Sequence, residues 1–98
     1  MNGTIILFHF NEKTPQVEIN KFMQKFYGQD STSCKGKYVY HRHGFLEDIP
    51  HRKLLRGVII LRNEDARMII EFLKKYNIKL YVREIKLTPD DEEALSNT

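Results

Sequence analysis

Cysteine is nearly absent from this chain. Cys34 stands alone among 98 residues, which excludes an intramolecular disulfide and an all-cysteine zinc site. No apolar run reaches the roughly 20 residues that cross a bilayer as a helix. Met1-Asn2-Gly3-Thr4 carries no basic segment ahead of an apolar stretch, so no secretion signal is read there. Internal repeats, low-complexity tracts and interdomain linkers are lacking too. There is no glycine-rich phosphate loop, and the acids Glu47 and Asp48 are adjacent rather than facing. Nothing in the spacing joins His9 to Cys34 as base and nucleophile. The expectation is a cytoplasmic protein with no membrane partner, no cofactor and no catalytic residue.

What is present suits one folded domain. Hydrophobic residues make up 41% of the chain and aromatic ones 11%, enough for a small core and too much for a disordered segment. The net charge of +3 hides an asymmetry. Four of the thirteen acids, Asp90, Asp91, Glu92 and Glu93, fall in a last segment without Lys or Arg, so sixteen bases meet nine acids over residues 1–88, a balance of +7. Between Lys35 and Arg62, seven bases stand against Glu47 and Asp48 alone. A basic body with an acidic tail suits a polyanionic partner.

Hydrophobic period divides the chain. Gly3–Phe10 is apolar on both alternating faces, with Thr4, Ile6, Phe8 and Phe10 on one and Ile5, Leu7 and His9 on the other, which marks a buried central strand. Thr14 as N-cap and Pro15 in the first helical position open a helix whose stripe is Ile19, Phe22, Met23 and Phe26. Gly28 stops it. Lys37–His43 alternates Tyr38, Tyr40 and Arg42 against Val39, His41 and His43, and its polarity predicts an edge strand. Gly44–Lys53 reads as a connection and Leu54–Arg62 as a second central strand. Asn63 is the expected cap of a helix buried along Ala66, Ile69, Ile70 and Leu73. Lys79–Leu87 is the last strand. Thr88-Pro89-Asp90-Asp91 resembles a helix start with a capping acid three residues on.

With right-handed crossovers, this order predicts a ferredoxin-like βαββαβ sandwich: a four-stranded antiparallel sheet with two helices on one face. Residues 1–88 form the single domain and 89–98 an acidic tail, able to form a short helix. Acylphosphatases share the length, basicity and element order. Phe10-Asn11-Glu12-Lys13-Thr14, however, has neither the glycine nor the arginine with which that family cradles phosphate. Arg56-Gly57-Val58-Ile59-Ile60 resembles the third-strand signature of the RNA recognition motif, which begins with a basic residue and glycine. Val58, Ile60 and Asn63 stand where that family carries rings. Sheets of this type bind single strands with rings that stack bases and cations that meet phosphates, so a nucleic-acid partner, RNA or DNA, is expected on the basic sheet face and hairpin. The expected contacts are Tyr38, Tyr40 and Tyr81 for bases, and Arg42, Arg52, Lys53, Arg56, Arg62 and Arg83 for phosphates.

That face offers a second use. Both central strands are greasy on both sides, so Val58 and Ile60 with one apolar set of the first strand would be exposed, unless the C-terminal segment folds across them with Leu95 as its plug. Contiguous apolar surface marks an interface, and at roughly 25 cal/mol per Å², covering about 300 Å² contributes several kcal/mol. A homo-oligomer is expected, with Phe45, Leu46, Ile49, Val58 and Ile60 at the contact, and a protein-interaction or ligand-sensing module is the alternative to nucleic-acid binding. His41 and His43, two apart on a strand, with His51 on the following connection, form the candidate set for zinc, copper or nickel.

Overall fold

The structure is a computed structural model that describes residues 1–33 and 38–96, with the side chains of 31–33 and 38–40 left aside. Cys34, Lys35 and Lys37 lie outside the described residues. The chain is a mixed α+β protein. Its strands are β1 Asn2–Phe10, β2 Gln29–Ser33, β3 Tyr38–Arg42, β4 His51–Leu55, β5 Val58–Arg62 and β6 Ile78–Lys86. Its helices are α1 Gln16–Tyr27, α2 Asn63–Leu73 and α3 Pro89–Ser96, with a single 3₁₀ turn at Phe45–Asp48. Two compact units result, Met1–Thr14 with Ile49–Thr98, and Pro15–Asp48. Among the described residues, no helix is long and apolar enough to cross a membrane.

The first unit holds the four-stranded antiparallel sheet, in the order β4-β5-β1-β6. As expected, β1 and β5 are central. The edge strand next to β5 is a correction to the sequence reading: β4 takes that place, whereas the strand expected there, beginning at Lys37, pairs with β2 in a separate two-stranded sheet. The expected single strand Leu54–Arg62 is likewise broken. Arg56 and Gly57 form the turn between β4 and β5 because Gly57 takes φ 89°, a left-handed conformation that glycine adopts at no steric cost. The peptide is also pinned, since Phe8 N–H donates to the Gly57 carbonyl at 2.9 Å. A Cβ on Gly57 would stand 2.7 Å from the Phe8 carbonyl oxygen. Gly57→Ala should therefore cost about 2 kcal/mol, read as a lowered urea midpoint at unchanged slope; a midpoint equal to the parent's would show that the turn relaxes freely.

Strand alternation gives the sheet two faces. One carries Thr4, Ile6, Phe8, Ile59 and Leu61, all buried. It meets α2, whose buried stripe is Ala66, Ile69 and Leu73. The Thr4 hydroxyl donates to Asn63 Oδ1 at 2.7 Å, so Asn63 anchors the start of α2 to β1 instead of capping it; the cap position falls to Arg62. The opposite face is covered over part of its length by α3. Leu95 and Leu87 pack on Ile60, with Ile5 and Ile85 at the margin. Among the described residues three helices thus stand where two were expected to cover the sheet, the third being the short tail helix, on the side left open.

A reciprocal cap at the start of α3 holds it there. Thr88 N–H donates to Asp91 Oδ2 at 3.0 Å, and Asp91 N–H donates to Thr88 Oγ1 at 3.2 Å. Arg52 of β4 adds a charged bond to Asp91 Oδ1 at 2.6 Å. The turn expected from Thr88-Pro89-Asp90-Asp91 is therefore real, and its acid also ties the helix to the sheet edge.

In the second unit, α1 begins at Gln16, with Pro15 rather than Thr14 in the cap position. It buries Phe22 and Phe26, their ring centroids 5.4 Å apart. Gly28 stops it at φ 85°, as expected. β2 and β3 then pair antiparallel, placing Asp30 opposite His41 and Gln29 opposite Arg42. The 3₁₀ turn returns against α1 with Leu46 buried.

Candidate functional site

The part of the sheet face that α3 leaves uncovered is the first candidate. Register places Leu55, Val58, Leu7 and Tyr81 in one row across all four strands. The row toward α3 runs Arg52, Ile60, Ile5 and Arg83. His9 and Lys79 pair beyond Tyr81. Leu7, Leu55 and Tyr81 are exposed, Tyr81 by 47%, and the His9 and Tyr81 rings stack with centroids 6.3 Å apart. Along β6, Lys79, Tyr81 and Arg83 alternate on this face and are all exposed. At about 3.3 Å per residue they span about 13 Å. None of these residues is an acid.

Of the nine expected nucleic-acid residues, the six in the first unit do not all fall on one sheet face. Tyr81 and Arg83 lie together on β6, and Arg56 is exposed in the β4–β5 turn. Arg52 is bound to Asp91. Arg62 Nε donates to Asp65 Oδ2 at 2.8 Å and lies 3.5 Å from Glu64 Oε1, and its hydrogen bond to Asp65 raises its already high pKa further. Lys53 registers with Ile59 and so belongs to the α2 side. Arg42 is on β3 in the second unit, as are Tyr38 and Tyr40, whose side chains lie outside the described set. Lys79 and His9 were missed. Their signal was the i, i+2, i+4 spacing of Lys79, Tyr81 and Arg83 and the alternation of β1.

The second candidate is a histidine–carboxylate cluster on the β2–β3 ribbon. β3 ends at Arg42, and His41 and His43 bring their rings to Glu47 of the 3₁₀ turn. His41 Nε2 lies 2.6 Å from Glu47 Oε1, and His43 Nδ1 lies 3.0 Å from Glu47 Oε2. Asp30 Oδ1 holds His41 Nδ1 at 2.6 Å, and Asp48 Oδ1 holds His43 Nε2 at 2.8 Å. The Asp30 bond, followed by the Glu47 bond, raises the His41 pKa above its ordinary value. Gly44 N–H, donating to Glu47 Oε2 at 2.9 Å, is the main cause that lowers the Glu47 pKa. His51 is not in this cluster; it belongs to the first unit, where its Nδ1 meets the Ile49 carbonyl at 2.8 Å. Glu47 stood four residues from His43 and was legible in principle. Asp30 was not, because residues 28–36 read as a polar loop.

The residues expected at a subunit contact divide by burial. Leu46, Ile49 and Ile60 are buried within the chain, Ile60 to 3% exposure under Leu95. Phe45 and Val58 are half-buried. With the geometry of both candidates in hand, comparison with known proteins adds no relative: no family model, curated protein or solved structure matches this chain.

Proposed function

We propose that this chain is a small binding protein for single-stranded nucleic acid, using the uncovered part of the sheet in the first unit. The observation that carries this reading is Tyr81, exposed and stacked on His9, with Lys79 and Arg83 two residues to either side on the same strand face. A ring with a free face accepts a base regardless of its identity, and flanking cations neutralise the phosphates on either side. Arg56, at the end of the β4–β5 hairpin, extends the cationic border. Arg52 and Arg62 belong to the scaffold in this reading, since their charges already face Asp91 and Asp65.

Fluorescence anisotropy with labelled single-stranded and duplex oligonucleotides tests it. Single strands should bind with an affinity that falls steeply with salt. Tyr81→Ala should weaken binding by about 1–3 kcal/mol. Arg83→Ala and Lys79→Ala should each lower the salt slope by about 0.7, while Arg62→Ala should leave it unchanged. No retention of RNA, single-stranded DNA or duplex at low salt would reject the proposal.

The row of Leu55, Val58 and Leu7 supports a second reading, a contact between copies of this chain, since Leu55 is 68% exposed and Leu7 36%. Mass that rises with concentration in light scattering, without nucleic-acid binding, would favour that reading over the first. For the fold itself, we propose a ferredoxin-like core. The chain order β1, α1, β4, β5, α2, β6 with sheet order β4-β5-β1-β6 supports it; the β2–β3 ribbon would then be an insertion and α3 an addition.

A further inference from the structure

The histidine–carboxylate cluster is independent of the sheet surface and has an order of its own. Glu47 stands between two imidazoles, one oxygen toward His41 Nε2 and the other toward His43 Nδ1. The far nitrogen of each ring is already held by a different carboxylate, Asp30 for His41 and Asp48 for His43. A metal-bound imidazole almost always gives its second N–H to such an outer acceptor, which fixes the tautomer and the ring plane. We infer that His41, His43 and Glu47 form a binding site for a divalent first-row transition ion of the zinc type, with Asp30 and Asp48 as positioning residues.

Donor chemistry selects the ion. Two imidazoles and one carboxylate suit zinc, cobalt, nickel or copper, whereas magnesium and calcium take oxygen ligands. The distances fit as well. One donor atom from each of the three residues lies within 4.8 Å of the others. Donors held at about 2.0–2.2 Å by a tetrahedral ion stand about 3.3–3.5 Å apart. The 2.6 and 3.0 Å contacts to Glu47 need to open by about 0.8 and about 0.4 Å to reach that spacing, and all three side chains are exposed enough to move. The backbone supports the set: His41 lies in β3 and His43 directly follows its end at Arg42, and Gly44 N–H holds the Glu47 carboxylate at 2.9 Å. Three protein donors leave a position for water or an exchangeable ligand.

Isothermal titration of the untagged 98-residue chain with Zn²⁺, and visible spectroscopy with Co²⁺, decide the matter. One equivalent of zinc should bind, and Co²⁺ should develop the intense visible bands of a low-coordinate site. His41→Ala, His43→Ala and Glu47→Gln should each lower affinity by about a hundredfold or more. Asp30→Asn and Asp48→Asn should lower it by about 10–100-fold. His51→Ala and His9→Ala should leave it unchanged. Two results would overturn the site: no zinc heat and no Co²⁺ bands in the parent protein, or affinity within twofold of the parent in both His41→Ala and His43→Ala. The parent titration stands alone, so a variant that fails to fold cannot protect the inference.

Discussion

Gly44→Ala is expected to lower the unfolding free energy by about 3 kcal/mol or more, a large share of the 5–15 kcal/mol typical of a domain. A Cβ at this position would overlap main-chain atoms of both Tyr27 and Gly28. Gly28 has no slack either, since its own Cβ would stand 2.7 Å from the Arg42 carbonyl oxygen. A side chain in the way can rotate aside, but these obstacles are backbone, so the strain is relieved only by separating the end of α1 from the loop before the 3₁₀ turn. Glu47 moves with that loop and loses the Gly44 N–H that orients it. Urea denaturation should show the lost stability, and the histidine ring resonances of His41 and His43 should move with it. A midpoint shift worth less than about 0.5 kcal/mol would show that the two glycines are not a tight crossing.

Asp91→Ala should release α3 from the sheet at a cost of about 2–3 kcal/mol, combining a lost helix cap with an arginine left without its partner. The residue is buried to 6% exposure; its carboxylate accepts from Arg52 and from the Thr88 N–H, and its own N–H donates to Thr88 Oγ1. Releasing it uncovers Ile60, Leu87 and Ile5, so amide exchange at Glu92–Leu95 should rise sharply. Acid should do the same to the parent protein. The Thr88 amide first, and Arg52 after it, hold the Asp91 carboxyl below its ordinary 3.8 against the opposing effect of burial. A carboxyl depressed by folding adds stability that is complete above its unfolded value and disappears as pH falls through the folded one. The helix should therefore loosen below about pH 4, and Asp91→Asn, with nothing to protonate, should lose that acid limb. An identical limb in the asparagine variant would place the acid sensitivity elsewhere.

The two residues behind these effects differed in how far the sequence revealed them. Asp91 was readable as a capping acid because its partner Thr88 is three residues away. Its second partner, Arg52, is not adjacent in any local pattern, and the sequence reading assigned that arginine to phosphate instead. Gly44 carried no signal at all, since only the approach of α1 makes its missing Cβ necessary. Strand assignment failed for a related reason. Residues 51–55 and 38–42 are both short and partly polar, and either could flank β5 by its own alternation. The sharp Arg56-Gly57 turn joins β4 to β5 directly, so the local hairpin takes the edge, and β3 finds the polar stretch that had read as a loop.

By itself the sequence determined the central strands β1 and β5, the helices α1 and α2 with their buried stripes, the stop at Gly28 and the cap that opens α3. These follow from periods and bonds that close within a few residues of the chain, so no knowledge of the rest is needed. Only the tertiary structure decided which strand borders β5, that Leu95 packs on Ile60 and hides part of the open face, which arginines are consumed by Asp91 and Asp65, and that Glu47 meets two histidines. Each of those outcomes is a competition among partners distant in sequence, settled by geometry and charge in three dimensions rather than by local preference.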